Sequence, residues 1–162
     1  MGKFDFMIKI NLYCVGSLKE KYLKEAINEY TKRLSRYANV EIIEVKEAKV
    51  DEVNSLKGLK EEGNYILNKL HKDDYVILSD LHGEMKTSEE FSELLSSLID
   101  KGVNPINFVI GGTYGIDKDL RERSNQKLCL SKMTFTHQMT RVILLEQIYR
   151  AFKIMRNENY HH

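Results

Sequence analysis

Three glycines within five residues form the clearest candidate ligand-binding loop of the chain, Gly111–Gly115. This glycine loop follows an apolar run and precedes a helical pattern that begins near Asp117. Glycines at such a place permit positive φ angles and let a ligand approach backbone N–H groups closely. The spacing is neither the GxGxxG fingerprint of dinucleotide-binding folds nor a P-loop, which ends in Gly-Lys-Ser/Thr. We interpret the loop as a nucleotide-like cradle, and a purely structural tight turn is the alternative.

Two further loops, 79–84 and 131–136, follow apolar runs of the same kind. If the preceding strands are parallel, their carboxyl ends meet at one edge of the sheet, where open α/β folds bind their ligands. Each loop alone is typical of a plain connection. The three loops together predict a pocket at that edge.

Glu146 is the carboxylate that interrupts the apolar face of the last helical pattern. A carboxylate placed there could serve as a general base. The alternative is an ion pair with Arg150, which lies four residues further along the same helix. None of the histidines and cysteines shows HExxH, CxxC or other metal-ligand spacing, so we predict no metal site.

Hydrophobic periodicity predicts five strands that alternate with five helices. The predicted strands are Ile8–Val15, Val40–Val45, Tyr75–Ser79, Ile106–Ile110 and Lys127–Ser131. The predicted helices run from Leu18 to Tyr37, from Leu56 to Leu70, from a capping box at Thr87 to Gly102, from Asp117 to Ser124, and from His137 to Arg156. This alternation predicts an α/β fold with a mostly parallel sheet flanked by helices.

The last predicted helix contains four adjacent apolar residues, from Val142 to Leu145. Successive helix residues are about 100° apart, so these four cannot all face one stripe. We predict that one side packs on the sheet and the other on a second copy of the chain, as a homodimer. A helix buried entirely within its own domain is the alternative.

Composition fits one globular domain, because the chain has 162 residues, of which 42% are hydrophobic and 30% charged. We assign residues 7–162 to that domain and interpret residues 1–6 as a leader or a non-native start. The longest apolar run has four residues, which predicts no membrane span. Cys14 and Cys129 lie far apart and indicate reduced core residues of a cytoplasmic protein, with a disulfide between them as the alternative. Residues 117–162 hold nine basic and five acidic residues, which suits a phosphate-rich partner.

Several stretches of the sequence are specific to one known family. They are Val15–Lys19, Phe108–Gly115, Leu130–Arg141, Glu146–Ala151 and Tyr160-His161. Through them, residues 7–162 resemble the ribosomal RNA large subunit methyltransferase H family, which consists of small bacterial enzymes of the SPOUT class. Two positions depart from the family pattern, because Thr136 stands where the family usually has proline and His162 where it usually has lysine or arginine.

The resemblance implies a C-terminal trefoil knot, which periodicity does not show, and S-adenosylmethionine as the methyl donor. By position, the donor contacts fall on Ser79, Gly111, Leu130, Ser131, Lys132, Met133, Thr134 and Phe135. The resemblance also implies a homodimer through the last helix. The implied substrate is a pseudouridine in a stem-loop of 23S ribosomal RNA, methylated at N3 within the assembled ribosome.

The resemblance further places Tyr160 and His161 beside the active site, although the composition of this tail alone indicates disorder. A ring there could stack on a base, and an imidazole could pass a proton. Glu146 and His161 are the candidate general bases, and Arg150 could hold an RNA phosphate. Two other functions fit the residues: a non-enzymatic ribosome- or RNA-binding homodimer, and a flavodoxin-like nucleotide binder that uses the glycine loop.

Overall fold

A single five-stranded sheet organises the chain, which the computed structural model describes over residues 7–49 and 55–160. The strand order is β2-β1-β4-β3-β5, and every neighbouring pair is parallel. The strands are β1 (Ile8–Val15), β2 (Ala38–Val45), β3 (Tyr75–Met85), β4 (Ile106–Ile110) and β5 (Gln126–Cys129). The predicted α/β class is confirmed, and the trefoil knot stays a prediction. The suggested leader 1–6 and the last two histidines lie outside the described residues.

Helices cover both faces of this sheet. They are α1 (Lys21–Leu34), α2 (Ser55–Lys69), α3 (Ser88–Asp100), α4 (Lys118–Arg123) and α5 (His137–Met155). Helices α1, α3 and α5 pack on one face, and α2 and α4 pack on the other. The predicted capping box of α3 is present, because Thr87 Oγ1 accepts from the Glu90 backbone N–H at 3.0 Å and Glu90 Oε1 accepts from the Thr87 N–H at 2.8 Å.

Helix α1 begins three residues later than the predicted start at Leu18. Gly16 has a φ of +98°, which turns the chain sharply after β1. The Leu18 backbone N–H then donates to Glu44 Oε2 at 3.2 Å, at the end of β2. Leu18 therefore packs against the core from a loop that is tied to the sheet, and the helix starts only after its N-cap, Glu20.

Strand β3 continues to Met85, although the sequence indicates a loop after Ser79. The added residues pair with β5 after a break in register between Ser79 and Glu84. Gly83 permits this close approach, because a Cβ there would lie 2.6 Å from the backbone carbon of Lys127. The second predicted loop is thus an irregular strand extension. Strand β5 in turn ends at Cys129, because Ser131 Oγ accepts from the Met133 N–H and turns the chain.

Helix α5 buries most of its apolar residues within its own domain. Leu144 and Leu145 are fully enclosed, and Val142 packs partly against the same core. Ile143 and Ile154 are only half-buried, and they lie on the outward side of the helix. This outward stripe of α5 is mixed, because Gln147 and Arg150 lie between the two isoleucines on the same side, and it stays partly exposed. Among the described residues, no helix is long and apolar enough to cross a membrane.

Candidate functional site

A cavity of about 610 Å³ lies at the carboxyl edge of the sheet. That volume is typical of small-molecule sites. The cavity is bounded by the extension of β3, the glycine loop after β4, the segment after β5 and the first turn of α5. Its lining residues are Ser79, Asp80, Leu81, His82, Ile110, Gly111, Gly112, Thr113, Gly115, Ile116, Arg121, Cys129, Leu130, Ser131, Met133, Thr134, Phe135, Thr136, His137 and Thr140. The predicted pocket is therefore present, built from the three predicted segments.

Seven of the eight residues predicted to contact a donor line this cavity: Ser79, Gly111, Leu130, Ser131, Met133, Thr134 and Phe135. Lys132 is exposed and does not line it. Met133 is 76% exposed although it sits at the cavity, so the mouth of the site has an apolar rim. A partly apolar rim of this kind suits a flat, partly apolar ligand.

The glycine loop is both a tight turn and a cavity wall. The Gly115 N–H donates to the Gly112 carbonyl at 3.2 Å, and Gly115 has a φ of +96°. A Cβ on Gly111 would lie 2.7 Å from the Gly115 carbonyl oxygen, closer than such atoms approach. The predicted tight turn is present and brings the loop backbone to the cavity, whereas the nucleotide-like cradle stays a prediction.

An ion pair in the cavity wall was not predicted from the sequence. Asp80, with its side chain 6% exposed, pairs with Arg121 of α4. The His82 backbone N–H also donates to Asp80 Oδ1 at 3.1 Å. Asp80 and Arg121 are 41 residues apart, so no local spacing could reveal the pair. The cavity thus contains one carboxylate and one guanidinium of opposite charge, beside apolar walls.

A buried arginine fixes the start of α5 against the sheet. Arg141 is 0% exposed, and its guanidinium donates to Glu44 Oε2 at 2.6 Å and to the Gly16 carbonyl at 2.8 Å. His137 lies beside Gly16, because a Cβ there would be 3.5 Å from His137 Nε2. These contacts hold the first turn of α5 at the cavity, where His137 and Thr140 line it.

Three of the residues predicted to be catalytic form a second cluster. Glu146 Oε2 accepts from Arg150 Nη2 at 2.8 Å and from the Tyr160 hydroxyl at 2.9 Å. Glu146 Oε1 also accepts from Gln147 Nε2 at 3.1 Å. The predicted i,i+4 ion pair is present, and the Glu146 carboxylate is engaged by several donors at once. The Glu146 carboxylate therefore orients the Arg150 and Tyr160 side chains, and its role as a general base stays a prediction.

Tyr160 is held in place, although tail composition indicated disorder. Its ring packs edge-on against Tyr149 at 5.0 Å, and the Arg150 guanidinium lies 4.7 Å from its centre. Burial, followed by the hydrogen bond to Glu146, raises the pKa of the Tyr160 hydroxyl to about 12. The hydroxyl therefore stays protonated near neutral pH and acts as a donor. His161, the fourth predicted catalytic residue, lies outside the described part of the chain.

The Glu146 cluster does not border the cavity of its own subunit. No cluster residue is among those that line the cavity. Glu146 follows Thr140 by six helix residues, about 9 Å along the axis at 1.5 Å per residue. The structure thus brings seven of the eight predicted methyl-donor contacts together at one place and three of the four predicted catalytic residues together at another.

Comparisons with known proteins agree on one family. The family model described as "Predicted SPOUT methyltransferase" matches residues 8–161. The chain is similar to the Ribosomal RNA large subunit methyltransferase H of Clostridium acetobutylicum, at 50% identity over 95% of this chain and 99% of that protein. The protein of the same name from Bacillus pumilus is 46% identical over the same shares.

A solved structure with the same fold is the tRNA (m1G37) methyltransferase from Aquifex aeolicus. It aligns with a TM-score of 0.54 at 11% identity, over 90% of this chain and 70% of that one. The likeness at that identity concerns the fold alone. With a family model that spans the sheet, the cavity and α5, and relatives at half identity over nearly their whole length, the chain belongs to the SPOUT methyltransferase family.

Proposed function

We propose that this protein is a cytoplasmic S-adenosylmethionine-dependent methyltransferase that methylates N3 of a pseudouridine in a 23S ribosomal RNA stem-loop, with the assembled ribosome as substrate. The observation that carries the proposal is the cavity at the carboxyl edge of the sheet, which contains the three predicted segments. The relatives' printed name, a ribosomal RNA large subunit methyltransferase, supports the class of substrate.

The cavity fits an adenosine-containing sulfonium ligand. Its volume of about 610 Å³ suits a nucleoside with an amino-acid arm. Leu130 and Phe135 supply apolar surface for a flat ring, while Gly111 keeps the loop backbone at the wall. Asp80 and Arg121 offer opposite charges to a zwitterionic arm. When bound, S-adenosylmethionine supplies an electrophilic methyl group on its sulfonium.

The chain's own residues would then hold the pseudouridine and take its proton. N3 of a pseudouridine is an imide nitrogen that must lose its proton for methyl transfer, and a positioned base contributes about 10²–10⁴-fold. The Glu146 carboxylate already accepts hydrogen bonds from Arg150 and Tyr160, so we assign the role of general base to His161, which follows Tyr160 directly in the sequence. We assign Arg150, stacked on the Tyr160 ring, to an RNA phosphate.

A second subunit would bring the Glu146 cluster to a cavity. Because the Glu146 cluster lies along α5 away from its own cavity, two α5 helices that pack side by side in opposite directions would bring each cluster toward the partner's cavity. The half-exposed stripe with Ile143 and Ile154 is the surface that such a pair would bury. We therefore propose a homodimer with two sites, each built from both subunits.

Calorimetry tests the cofactor assignment directly. We expect S-adenosylmethionine and S-adenosylhomocysteine to bind at micromolar concentration and flavin mononucleotide not to bind. Incorporation of tritiated methyl groups into ribosomes that lack the modification tests the substrate. Binding of flavin mononucleotide alone would favour a nucleotide carrier, and binding of ribosomes without any donor would favour a non-enzymatic RNA-binding dimer.

A further inference from the structure

The glycine loop is held from outside the cavity by the segment that follows β2. Glu47 Oε2 accepts from the Thr113 backbone N–H at 2.9 Å. Gly112 leaves room for this contact, because a Cβ there would lie 2.5 Å from the same oxygen. Glu47 does not line the cavity. The loop conformation therefore depends on a carboxylate that reaches it from behind.

A buried carboxylate of α2 fixes the segment that carries Glu47. Glu62 is only 7% exposed, and its Oε2 accepts from the Ala48 backbone N–H at 2.9 Å. Burial raises the pKa of Glu62, the negative charges of Glu47 and Glu61 raise it further, and the bond from Ala48 lowers it. An apolar side chain would be buried here at lower cost, so what the carboxylate provides is its bond to Ala48.

The next residue of α2, Gly63, contacts the segment just after the glycine loop. A Cβ on Gly63 would lie 2.7 Å from Asp117 Cβ, so α2 and the start of α4 meet without any side chain between them. Asp117 is the N-cap of α4, and its Oδ2 accepts from the Asp119 N–H at 3.1 Å. It follows Gly115 by only two positions. Adjacent residues of α2 thus contact the segments that flank the loop, Glu62 at Ala48 and Gly63 at Asp117.

We propose that Glu62 and Gly63 are positioning residues for the donor site, acting through Glu47 on one flank of the glycine loop and through Asp117 on the other. This inference rests on the proposed function. A loop already held in its binding conformation loses little entropy when a ligand binds, whereas a loosened loop lowers the apparent affinity by the fraction of time it is out of place.

The decisive variant is Glu62→Ala, which removes the acceptor for Ala48. We expect the Kd for S-adenosylmethionine, measured by calorimetry, to rise at least fivefold. The KM for the donor should rise by the same factor, while kcat at saturating donor stays within twofold, because a bound donor re-forms the loop. Glu62→Gln keeps an oxygen acceptor and should restore the affinity. Glu61→Ala, on the exposed neighbour in the same helix, is the matched control.

Two further variants keep the test decisive if Glu62→Ala does not fold. Glu47→Ala breaks the last link at a half-exposed position, and Gly63→Ala pushes α2 away from Asp117; both should raise the donor Kd at least fivefold. Unchanged affinity in these folded variants, or a fall in kcat with no change in KM, would overturn the inference alone. A wild-type protein that binds neither S-adenosylmethionine nor S-adenosylhomocysteine would instead refute the proposed function, and this inference with it.

Discussion

Gly111 and Glu146 show how differently single residues contribute to the cavity and to the Glu146 cluster. Gly111 contributes by having no side chain, because the Gly115 carbonyl and Ile116 occupy the space that a Cβ would need. Glu146 contributes several hydrogen bonds at once and orients Arg150 and Tyr160. Substitutions at these positions should therefore affect different measurements.

Gly111→Val should weaken donor binding at least tenfold, about 1.4 kcal/mol. The added branched side chain must displace the Gly115 carbonyl, which moves the loop into or away from the cavity. Calorimetry measures the Kd, and circular dichroism checks that the fold is intact. Lys132→Ala is the control, because Lys132 is exposed and lies off the cavity. Equal affinity in Gly111→Val and wild type would place the donor site elsewhere.

Tyr160→Phe should lower the free energy of unfolding by about 1 kcal/mol, the usual contribution of one hydrogen bond. The variant removes the hydroxyl that donates to Glu146 but keeps the ring that packs on Tyr149. The affinity for S-adenosylmethionine should not change, because neither Tyr160 nor Glu146 lines the cavity of its own subunit. Chemical denaturation gives the difference, and Tyr160→Ala should cost more because it also removes the ring contact.

At the scale of elements, α5 connects all parts of the proposed mechanism. Its first turn lines the cavity, its middle is buried between α1 and α3, and its second half carries the Glu146 cluster. Helix α2 lies on the opposite face, where it contacts the two segments that flank the glycine loop, at Ala48 and at Asp117.

Ile143→Glu should convert the proposed homodimer into a monomer, because it replaces an apolar side chain of the outward stripe of α5 with a charged one. Sedimentation equilibrium at micromolar concentration should give about twice the chain mass of 19.0 kDa for the wild type and the mass of a single chain for the variant. Tyr22→Glu is the matched control, since Tyr22 is an exposed apolar residue of α1, away from that stripe. A wild-type monomer would contradict the proposed dimer and the two-subunit site.

Glu62→Gln should stabilise the protein at neutral pH. Burial raises the pKa of Glu62 in the folded state, so folding favours its neutral form, and wild-type stability falls as the pH rises through that pKa. The amide cannot ionise and escapes this loss. The variant should therefore unfold at a higher temperature than wild type at pH 7, and the difference should shrink toward pH 4. A constant difference across this range would show that ionisation of Glu62 is not the cause.

At the scale of the whole molecule, local pattern predicted most elements, and long-range contacts decided the rest. Thr87 and its capping box could be identified because the whole motif lies within four residues. The extension of β3 could not, because its polar residues form a strand only through pairing with β5. Arg141 also escaped, since a charge in a helix usually faces water. Its partners, Glu44 and Gly16, are 97 and 125 positions away.

A chain that ends at Asn159 should fold, dimerise and bind S-adenosylmethionine, but lose most methyl transfer to ribosomes. The cavity and the outward stripe of α5 lie before that point, whereas the proposed general base and the ring of Tyr160 lie after it. Tritiated-methyl incorporation into unmodified ribosomes compares the two chains, with calorimetry as the check on the donor site. Equal rates would leave Arg150 and Glu146 as the remaining candidates.

The anchoring of Arg141 also sets when the site can exist during protein synthesis. The chain emerges amino end first, and β1 and β2, which carry Gly16 and Glu44, are available early. The wall after β5 and the first turn of α5 are made well over a hundred residues after β1, and Arg141 attaches them to those early strands. A nascent chain therefore has no complete cavity until α5 has emerged and Arg141 has reached Glu44 and Gly16. The sheet edge can form during translation, whereas the closed cavity is one of the last parts of this domain to assemble.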